Sequence, residues 1–136
     1  MTLRGVSHLG LAVKDLDAAI RLYREVFGVE VAHRWVAEAD RMEAATLDVG
    51  GMEVELMQPL DDDSPVGRFI ARHGEGVHHV AYRVDDVAGA LRRAREAGVQ
   101  TIDDEPREGG DGRTRIGFLH PRGMLGVLTE LEEDVS

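Results

Sequence analysis

Apolar and polar positions alternate along two short segments of the chain, residues 6–13 and 77–84. Because successive side chains of a strand point to opposite faces, this pattern predicts two strands. One face of the first strand carries His8, and the opposite face is apolar. We expect the apolar face to pack under a helix, which leaves His8 and its counterpart His79 on the other face.

Each of these strands leads into a predicted helix. Asp15 is a good N-cap for a helix over residues 16–27, and Asp86 is a good N-cap for one over residues 87–97. A Ser-Pro pair, which is typical of a helix start, begins a third and shorter helix over residues 64–74. The chain therefore contains three predicted helices.

Strand-like segments follow each of the two longer helices. They cover residues 29–36, 41–49, 52–58, 99–103, 114–120 and 126–132, and the glycine-rich residues 108–112 form a predicted loop. Each half thus reads strand, helix, strand, strand, strand. We predict an α+β fold of two tandem βαβββ modules, about residues 3–60 and 75–133, joined by the short helix into one domain.

The two halves also repeat residues whose side chains can bind a metal ion. The segment around His8 aligns without a gap on the segment around His79. Glu55, near the end of the first half, occupies the position that matches Glu130 near the end of the second. A duplicated module explains this pattern economically. Two imidazoles and two carboxylates at matching positions are a suitable ligand set for a divalent cation.

The repeated residues predict a metal site in a cleft formed by the mixed sheets of the two modules. Two nitrogen and two oxygen ligands suit Co²⁺, Zn²⁺, Ni²⁺ or Mn²⁺, with Co²⁺ as the first expectation, and leave room for a substrate oxygen on the metal. The alternative is that these residues are remnants of duplication on a solvated sheet face.

Glu43 is a further carboxylate of interest. It alternates onto one strand face with Ala45 and Leu47, so a charged group lies on an otherwise small or apolar surface. If that surface faces a cavity beside the metal, Glu43 is a candidate general base. The alternative is a half-exposed position at a strand edge.

Composition excludes several classes of function. The formal charge of −10 argues against a nucleic-acid partner, since phosphate contacts need clustered Lys and Arg. Cysteine is absent, which removes disulfides and thiolate ligands. No signal-like or membrane-spanning apolar segment is visible in the 136 residues, so we expect a cytoplasmic protein without membrane association.

Six short motifs identify a family resemblance that extends over almost the full length. The chain resembles the vicinal-oxygen-chelate (glyoxalase-like) superfamily and, within it, the methylmalonyl-CoA epimerases. The motifs are His8-Leu9-Gly10-Leu11-Ala12-Val13, Asp63-Ser64-Pro65-Val66, Gly76-Val77-His78-His79-Val80-Ala81, Asp104-Glu105-Pro106, Phe118-Leu119-His120-Pro121 and Gly126-Val127-Leu128-Thr129-Glu130-Leu131.

The resemblance implies roles for particular residues. The implied metal ligands are His8, Glu55, His79 and Glu130. Glu43 and Glu130 match the proposed acid/base positions; because a bound cation lowers the basicity of its ligand, we expect Glu130 to act chiefly as a ligand and Glu43 as the base. The implied substrate contacts are Arg115, Arg122 and His120, although the loop from Arg122 to Leu125 departs from the family's Lys-plus-small-polar sequence.

The implied reaction is interconversion of (R)- and (S)-methylmalonyl-CoA, or of a close 2-alkylmalonyl-CoA, by 1,1-proton transfer through a metal-stabilised enolate. An acyl-CoA thioester is then the small-molecule partner, and a homodimer is expected. Two alternatives remain open. A bacterial-type glyoxalase I, or lactoylglutathione lyase, can use the same four ligands, and a non-enzymatic drug-binding resistance protein shares the fold.

Overall fold

The computed structural model describes residues 1–110 and 112–136, so Asp111, within the predicted loop 108–112, lies outside the described residues. The chain divides into two compact units. The first unit comprises residues 8–78, and the second comprises residues 1–7 together with residues 79–136. The expectation of a single domain stays a prediction.

Eight strands and three α-helices occur in the described residues. In chain order they are β1 (Leu3–Ala12), α1 (Leu16–Phe27), β2 (Val31–Ala37), β3 (Met42–Asp48), β4 (Glu53–Pro59), α2 (Pro65–His73), β5 (Gly76–Val84), α3 (Val87–Glu96), β6 (Arg107–Glu108), β7 (Thr114–Leu119) and β8 (Thr129–Asp134). The element order confirms the predicted α+β class with two strand-helix-strand-strand-strand modules. None of the described helices is both long and apolar enough to cross a bilayer.

All three helices begin at the caps that the sequence predicts. The side chains of Asp15 and Asp86 accept hydrogen bonds from the backbone N–H groups of Ala18 and Gly89, at 3.1 and 3.0 Å. Each bond satisfies one of the four N–H groups that a helix start leaves without an intrahelical partner. The caps at Asp15 and Asp86 therefore fix the residues at which α1 and α3 begin.

In the first unit the strand order is β2-β3-β4-β1, with β1 and β4 parallel and the other neighbours antiparallel. One sheet face, here called the α1 face, packs on α1 through Val13, Leu16, Ile20, Ala45, Leu47, Val54 and Leu56. The other, here called the α2 face, packs on α2 through Ala12, Ala37, Met42, Ala44, Met57 and Val66. Both faces of this sheet are therefore partly covered.

In the second unit the strand order is β5-β8-β7-β6, with β5 and β8 parallel. One sheet face, the α3 face, packs on α3 through Val84, Val87, Ala90, Leu91, Leu119 and Leu131. The start of β1 belongs to this unit. The backbone N–H of Asp85 donates to the carbonyl of Thr2 at 3.2 Å, and Ser7 Oγ donates to Glu132 Oε1 at 2.6 Å.

The prediction of a strand over residues 99–103 is wrong. Only Thr101 forms a bridge there, with Leu119 of β7, and the short strand β6 pairs with β7 instead. The cause is Asp103, whose carboxylate accepts the N–H of Phe118 at 2.8 Å. A side chain thus takes the place that a backbone carbonyl of a neighbouring strand would occupy, and the regular ladder stops.

The last strand begins at Thr129, three residues later than predicted. Residues Pro121–Gly123 form a 3₁₀ turn, and Leu125 and Gly126 have φ angles of 61° and 85°. These left-handed values are incompatible with an extended strand. The hairpin before Glu130 is therefore longer than the sequence suggests.

The start of α2 generates a stability prediction. Ser64 is fully buried, its hydroxyl donates to the carbonyl of Asp61 at 2.7 Å, and it accepts from the N–H of Gly67 at 3.1 Å. Ser64→Ala should lower the free energy of unfolding by about 1–2 kcal/mol, since a cap and a buried bond are lost together. Chemical denaturation measures this, with Ser136→Ala at the exposed terminus as the control. Equal stability of both variants would contradict the cap's importance.

Candidate active site

His8 and Glu55 come together in the first unit. Gly10 of β1 is the register partner of Glu55 on β4, and His8 lies on the same strand face as Gly10. His8 Nε2 is 3.4 Å from Glu55 Oε2, and both side chains are largely buried. They lie on the α2 face, since Ala12 and Met57, one step further along the two strands, belong to the α2 cluster.

His79 and Glu130 form the corresponding pair in the second unit. Ala81 of β5 is the register partner of Glu130 on β8, and His79 lies on the same strand face as Ala81. His79 Nε2 is 3.5 Å from Glu130 Oε1, and both side chains are buried. The pair faces away from the α3 cluster, to which Leu131, the next residue of β8 after Glu130, belongs. Each module thus places its His beside its Glu.

The chemistry of the donor pairs fits a divalent cation. Separations of 3.4 and 3.5 Å exceed the usual 2.7–3.2 Å of an N–H···O bond. Ligands at roughly 2.0–2.2 Å from one metal have donor atoms roughly 3.0–3.5 Å apart, which agrees with both pairs. All four residues are among the described side chains that could hold a metal ion. Burial of an ionised carboxylate is costly unless a positive charge or hydrogen bonds compensate it.

Three residues beside the second pair are absent from the sequence-based site. The ring of Phe118 meets the His79 ring edge-on at 5.8 Å, and the Arg107 guanidinium lies 5.4 Å from the centre of the Phe118 ring. Asp103 Oδ1 accepts from Arg107 Nε at 3.0 Å. The i, i+4 spacing of Asp103 and Arg107 is a sequence signal for their ion pair, but the irregular segment between them hides the strand phase of Arg107.

Glu43 lies on the α1 face, with Ala45 and Leu47 as the alternation predicts. Its register partner on β4 is Gln58, whereas Glu55 pairs with Thr46 and belongs to the opposite face. Glu43 Oε2 accepts from Arg34 Nε at 2.8 Å, and the carboxylate side chain is 28% exposed. The structure therefore does not bring Glu43 to the sheet face that carries His8 and Glu55.

Arg34 joins two strands to α1. Besides Glu43, its guanidinium donates to Asp17 Oδ1 at 2.8 Å. The hydrogen bond to Glu43, followed by that to Asp17, raises the pKa of Arg34 above its usual value. Glu43 is thus held in an ionic network at the helix side of the sheet.

The expected substrate contacts occupy different environments. Arg115 lies on the α3 side of β7, where its guanidinium is 3.7 Å from Glu133. His120 Nδ1 accepts from the backbone N–H of Arg122 at 3.0 Å and caps the 3₁₀ turn, while the Arg122 side chain is exposed. Their roles in substrate binding stay predictions.

His78, next to His79 in sequence, has an opposite strand phase and a separate environment. Its ring meets Phe69 of α2 edge-on at 4.9 Å. Burial lowers the pKa of His78 to about 4, so its imidazole is neutral at pH 7. Consecutive residues of a strand point to opposite faces, so the contact of His78 with a helix agrees with the position of His79 on the other face.

Comparison with known proteins places these features in a family. The sequence profile of the Glyoxalase/Bleomycin resistance protein/Dioxygenase superfamily matches residues 7–118. The chain is 33% identical over 130 residues to the ethylmalonyl-CoA/methylmalonyl-CoA epimerase of Cereibacter sphaeroides, covering 94% of this chain and 96% of the relative. It is also 33% identical over 129 residues to the mitochondrial methylmalonyl-CoA epimerase of Mus musculus, with 94% and 72% covered.

Solved structures agree in fold as well as in sequence. A methylmalonyl-CoA epimerase in complex with methylmalonyl-CoA and NH₄⁺ matches with a TM-score of 0.94 and 40% identity, over 99% of this chain and 97% of that one. A Streptomyces coelicolor methylmalonyl-CoA epimerase variant in complex with 2-nitronate-propionyl-CoA matches equally well, with the same score, identity and coverage. The chain therefore belongs to the Glyoxalase/Bleomycin resistance protein/Dioxygenase superfamily, which confirms the resemblance identified from its sequence motifs.

Proposed function

We propose that the protein is an epimerase that interconverts (R)- and (S)-methylmalonyl-CoA or a close 2-alkylmalonyl-CoA. The observation that carries this proposal is the near full-length match, at 40% identity, to an epimerase in complex with methylmalonyl-CoA. The presence of a buried His–Glu pair in each unit supports it further. The substrate is then an acyl-CoA thioester, and the expected location is the cytoplasm.

The proposed metal ligands are His8, Glu55, His79 and Glu130. The duplication supports this set, since it supplies the same two donor types twice, and the donor separations within each pair suit a shared cation. Co²⁺ is the proposed ion, with Zn²⁺, Ni²⁺ and Mn²⁺ as alternatives. The bound ion would act as a Lewis acid that stabilises negative charge developing on a substrate oxygen.

The chain's own residues must remove a proton from one face of the substrate carbon and return it to the other. Glu130 and Glu43 are the proposed acid/base residues. Glu130 is buried beside His79, but ligation to a cation would reduce its basicity. Arg34 pairs with Glu43 on the α1 face, so action of Glu43 as the base requires that this ion pair opens and that the carboxylate reaches the substrate.

A stereochemical assay tests the proposed function directly. The protein is incubated with a single epimer of methylmalonyl-CoA or ethylmalonyl-CoA, and the opposite epimer is detected by an enzyme specific for it. The hemithioacetal of glutathione and methylglyoxal serves as the parallel substrate. Epimerisation without hemithioacetal isomerisation is expected. The reverse result would favour the glyoxalase alternative.

His79→Ala tests the metal site. Loss of one of the two nitrogen donors should reduce bound metal per chain steeply, because His79 is the nitrogen donor of the His79–Glu130 pair. Plasma emission spectrometry of the purified protein measures the stoichiometry. His73→Ala removes an exposed imidazole and should retain the parental metal content. Full metal retention in His79→Ala would remove this residue from the site.

Glu43→Gln tests the proposed base. The amide keeps the side-chain shape but accepts no proton, so turnover should fall roughly 10²–10⁴-fold while metal content and thioester binding persist. Deuterium incorporation from solvent should change unequally in the two directions, since each epimer presents its proton on a different face.

Arg34→Gln is the matched control for Glu43→Gln. It removes the ion pair but leaves the Glu43 carboxylate in place, so turnover should remain far above that of Glu43→Gln. If the metal-replete Glu43→Gln protein is as active as the parent in both directions, the base lies elsewhere, and Glu130 is the next candidate. Equal losses in both variants would instead indicate a structural role for the pair.

We also propose a homodimer, as the family resemblance implies. Exposed apolar side chains on α1, Leu22, Val26 and Phe27, support association with another surface. Sedimentation velocity at micromolar concentration should show a species of twice the 14.9 kDa chain mass. A monomer would contradict the dimer and leave the chemistry of the site unaffected.

A further inference from the structure

Arg107 lies on the sheet face that carries His79 and Glu130. Its register partner on β7 is Ile116, which in turn pairs with Glu132 on β8. Cross-strand partners share a face, so Arg107 has the same phase as Glu132 and therefore as Glu130. This phase distinguishes Arg107 from Arg115, which lies on the opposite face beside Glu133.

Two contacts hold the Arg107 guanidinium in position. Asp103 accepts from its Nε at 3.0 Å, and the guanidinium carbon lies 5.4 Å from the centre of the Phe118 ring. Asp103 is itself fixed, because its second oxygen accepts the backbone N–H of Phe118 at 2.8 Å. The guanidinium lies over an aromatic ring, and one of its own edges is hydrogen-bonded to a carboxylate. Because it is already ordered, it loses little freedom when it binds an anion.

The remaining hydrogen-bonding edge of Arg107 is available. Asp103 uses only Nε, and within residues 1–110 and 112–136 the terminal amino groups have no hydrogen-bond acceptor. The Arg107 side chain is 40% exposed, so a solute can reach it. Two parallel N–H groups of a guanidinium match the two oxygens of a carboxylate.

The position of Arg107 relative to His79 indicates which anion it would meet. The Phe118 ring contacts both the Arg107 guanidinium and the His79 imidazole, so the two cationic or metal-binding groups lie on either side of one ring's contacts. In a malonyl thioester the carboxylate is attached to the reacting carbon. The phosphates of coenzyme A are separated from that carbon by the whole pantetheine arm. A group one ring away from a proposed metal ligand is therefore placed for the carboxylate.

Charge gives a reason for such a residue. The chain has a formal charge of −10, and Glu130 and Glu132 are carboxylates on the same face as Arg107. A substrate that carries its own carboxylate would be repelled there unless a local cation offsets the repulsion. Arg107 adds a positive charge on this face to the one that the proposed metal ion would supply.

We propose that Arg107 binds the free carboxylate of the malonyl thioester, with Asp103 and Phe118 as its positioning residues. This inference rests on the proposed function, because it assumes a malonyl-type substrate. Epimerisation exchanges the hydrogen between the two faces of the carbon while the other substituents keep their places. A fixed carboxylate, together with a fixed thioester, defines the plane across which the proton moves.

The test compares two coenzyme A thioesters that differ in the carboxylate. Malonyl-CoA carries it, whereas propionyl-CoA has the same coenzyme A portion without it. Isothermal titration of the metal-replete protein should show that Arg107→Gln weakens malonyl-CoA binding roughly 10–100-fold, as expected for loss of a charge-assisted bond. Propionyl-CoA binding and metal content should not change. Arg107→Lys should recover part of the malonyl-CoA affinity.

Arg93→Gln is the matched control, since it makes the same substitution at an exposed arginine of α3 in the same unit. It should bind both thioesters like the parent. Equal weakening of both thioesters by Arg107→Gln would overturn the assignment and point to a coenzyme A phosphate as the anion. Unchanged malonyl-CoA binding would show that Arg107 does not contact the substrate.

The outcome is distinguishable from failure of the proposed function. If the parent protein does not epimerise methylmalonyl-CoA but prefers malonyl-CoA to propionyl-CoA, and Arg107→Gln abolishes that preference, the carboxylate site stands and the reaction is a different one. If the parent protein epimerises its substrate and Arg107→Gln keeps the preference for malonyl-CoA, the reaction stands and the role of Arg107 is overturned.

Discussion

In each unit a carboxylate is buried beside an imidazole, and the chemistry of the site follows from this arrangement. Glu130 and His79 are buried, with Oε1 and Nε2 3.5 Å apart. Glu55 and His8 are largely buried, with Oε2 and Nε2 3.4 Å apart. An ionised carboxylate out of water is costly unless positive charge lies close to it. A divalent cation would supply that charge, and the donor types and spacings of both pairs suit one. Other features of the site, such as Phe118 and Arg107, are arranged around one of these pairs.

Strand alternation lets the same short segments build both a core and a site. In β8, Leu131 packs under α3 while its neighbour Glu130 faces the other side of the sheet. The same rule separates Arg107 from Arg115, which lie on neighbouring strands but on opposite faces. It also places Glu43 with the α1 core, where Arg34 holds it. A one-residue change of phase would exchange these roles, so register determines function here.

The sequence contains the information for the fold class, the helix starts and the four repeated donors. Capping residues are local signals, and Asp15, Ser64 and Asp86 act in the structure as their neighbours in sequence suggest. The internal repeat pairs each His with a Glu far away in the chain, which periodicity alone cannot do. The strand phase of Glu43 was also visible, but its partner Arg34 could be found only from the pairing of β2 with β3.

The parts that sequence reasoning missed depend on side chains that replace backbone contacts. Asp103 accepts the N–H of Phe118, ends the ladder along β7 and turns what reads as a strand into an irregular segment. The same carboxylate orients Arg107. Left-handed backbone at Leu125 and Gly126 similarly delays the last strand. Such features have no period along the chain, so a pattern of apolar and polar positions does not reveal them.

Exchange of the substrate's α-proton with solvent, measured with and without metal, tests whether the protein is a metal-dependent epimerase. Methylmalonyl-CoA is incubated in D₂O with the metal-replete protein and with the same protein after chelation, and the α-proton signal is followed by NMR. A metal-dependent epimerase should remove the signal when it is metal-replete, remove little of it after chelation, and exchange the proton again when Co²⁺ is returned. Exchange that proceeds equally with and without metal, or no exchange at all, would contradict this function.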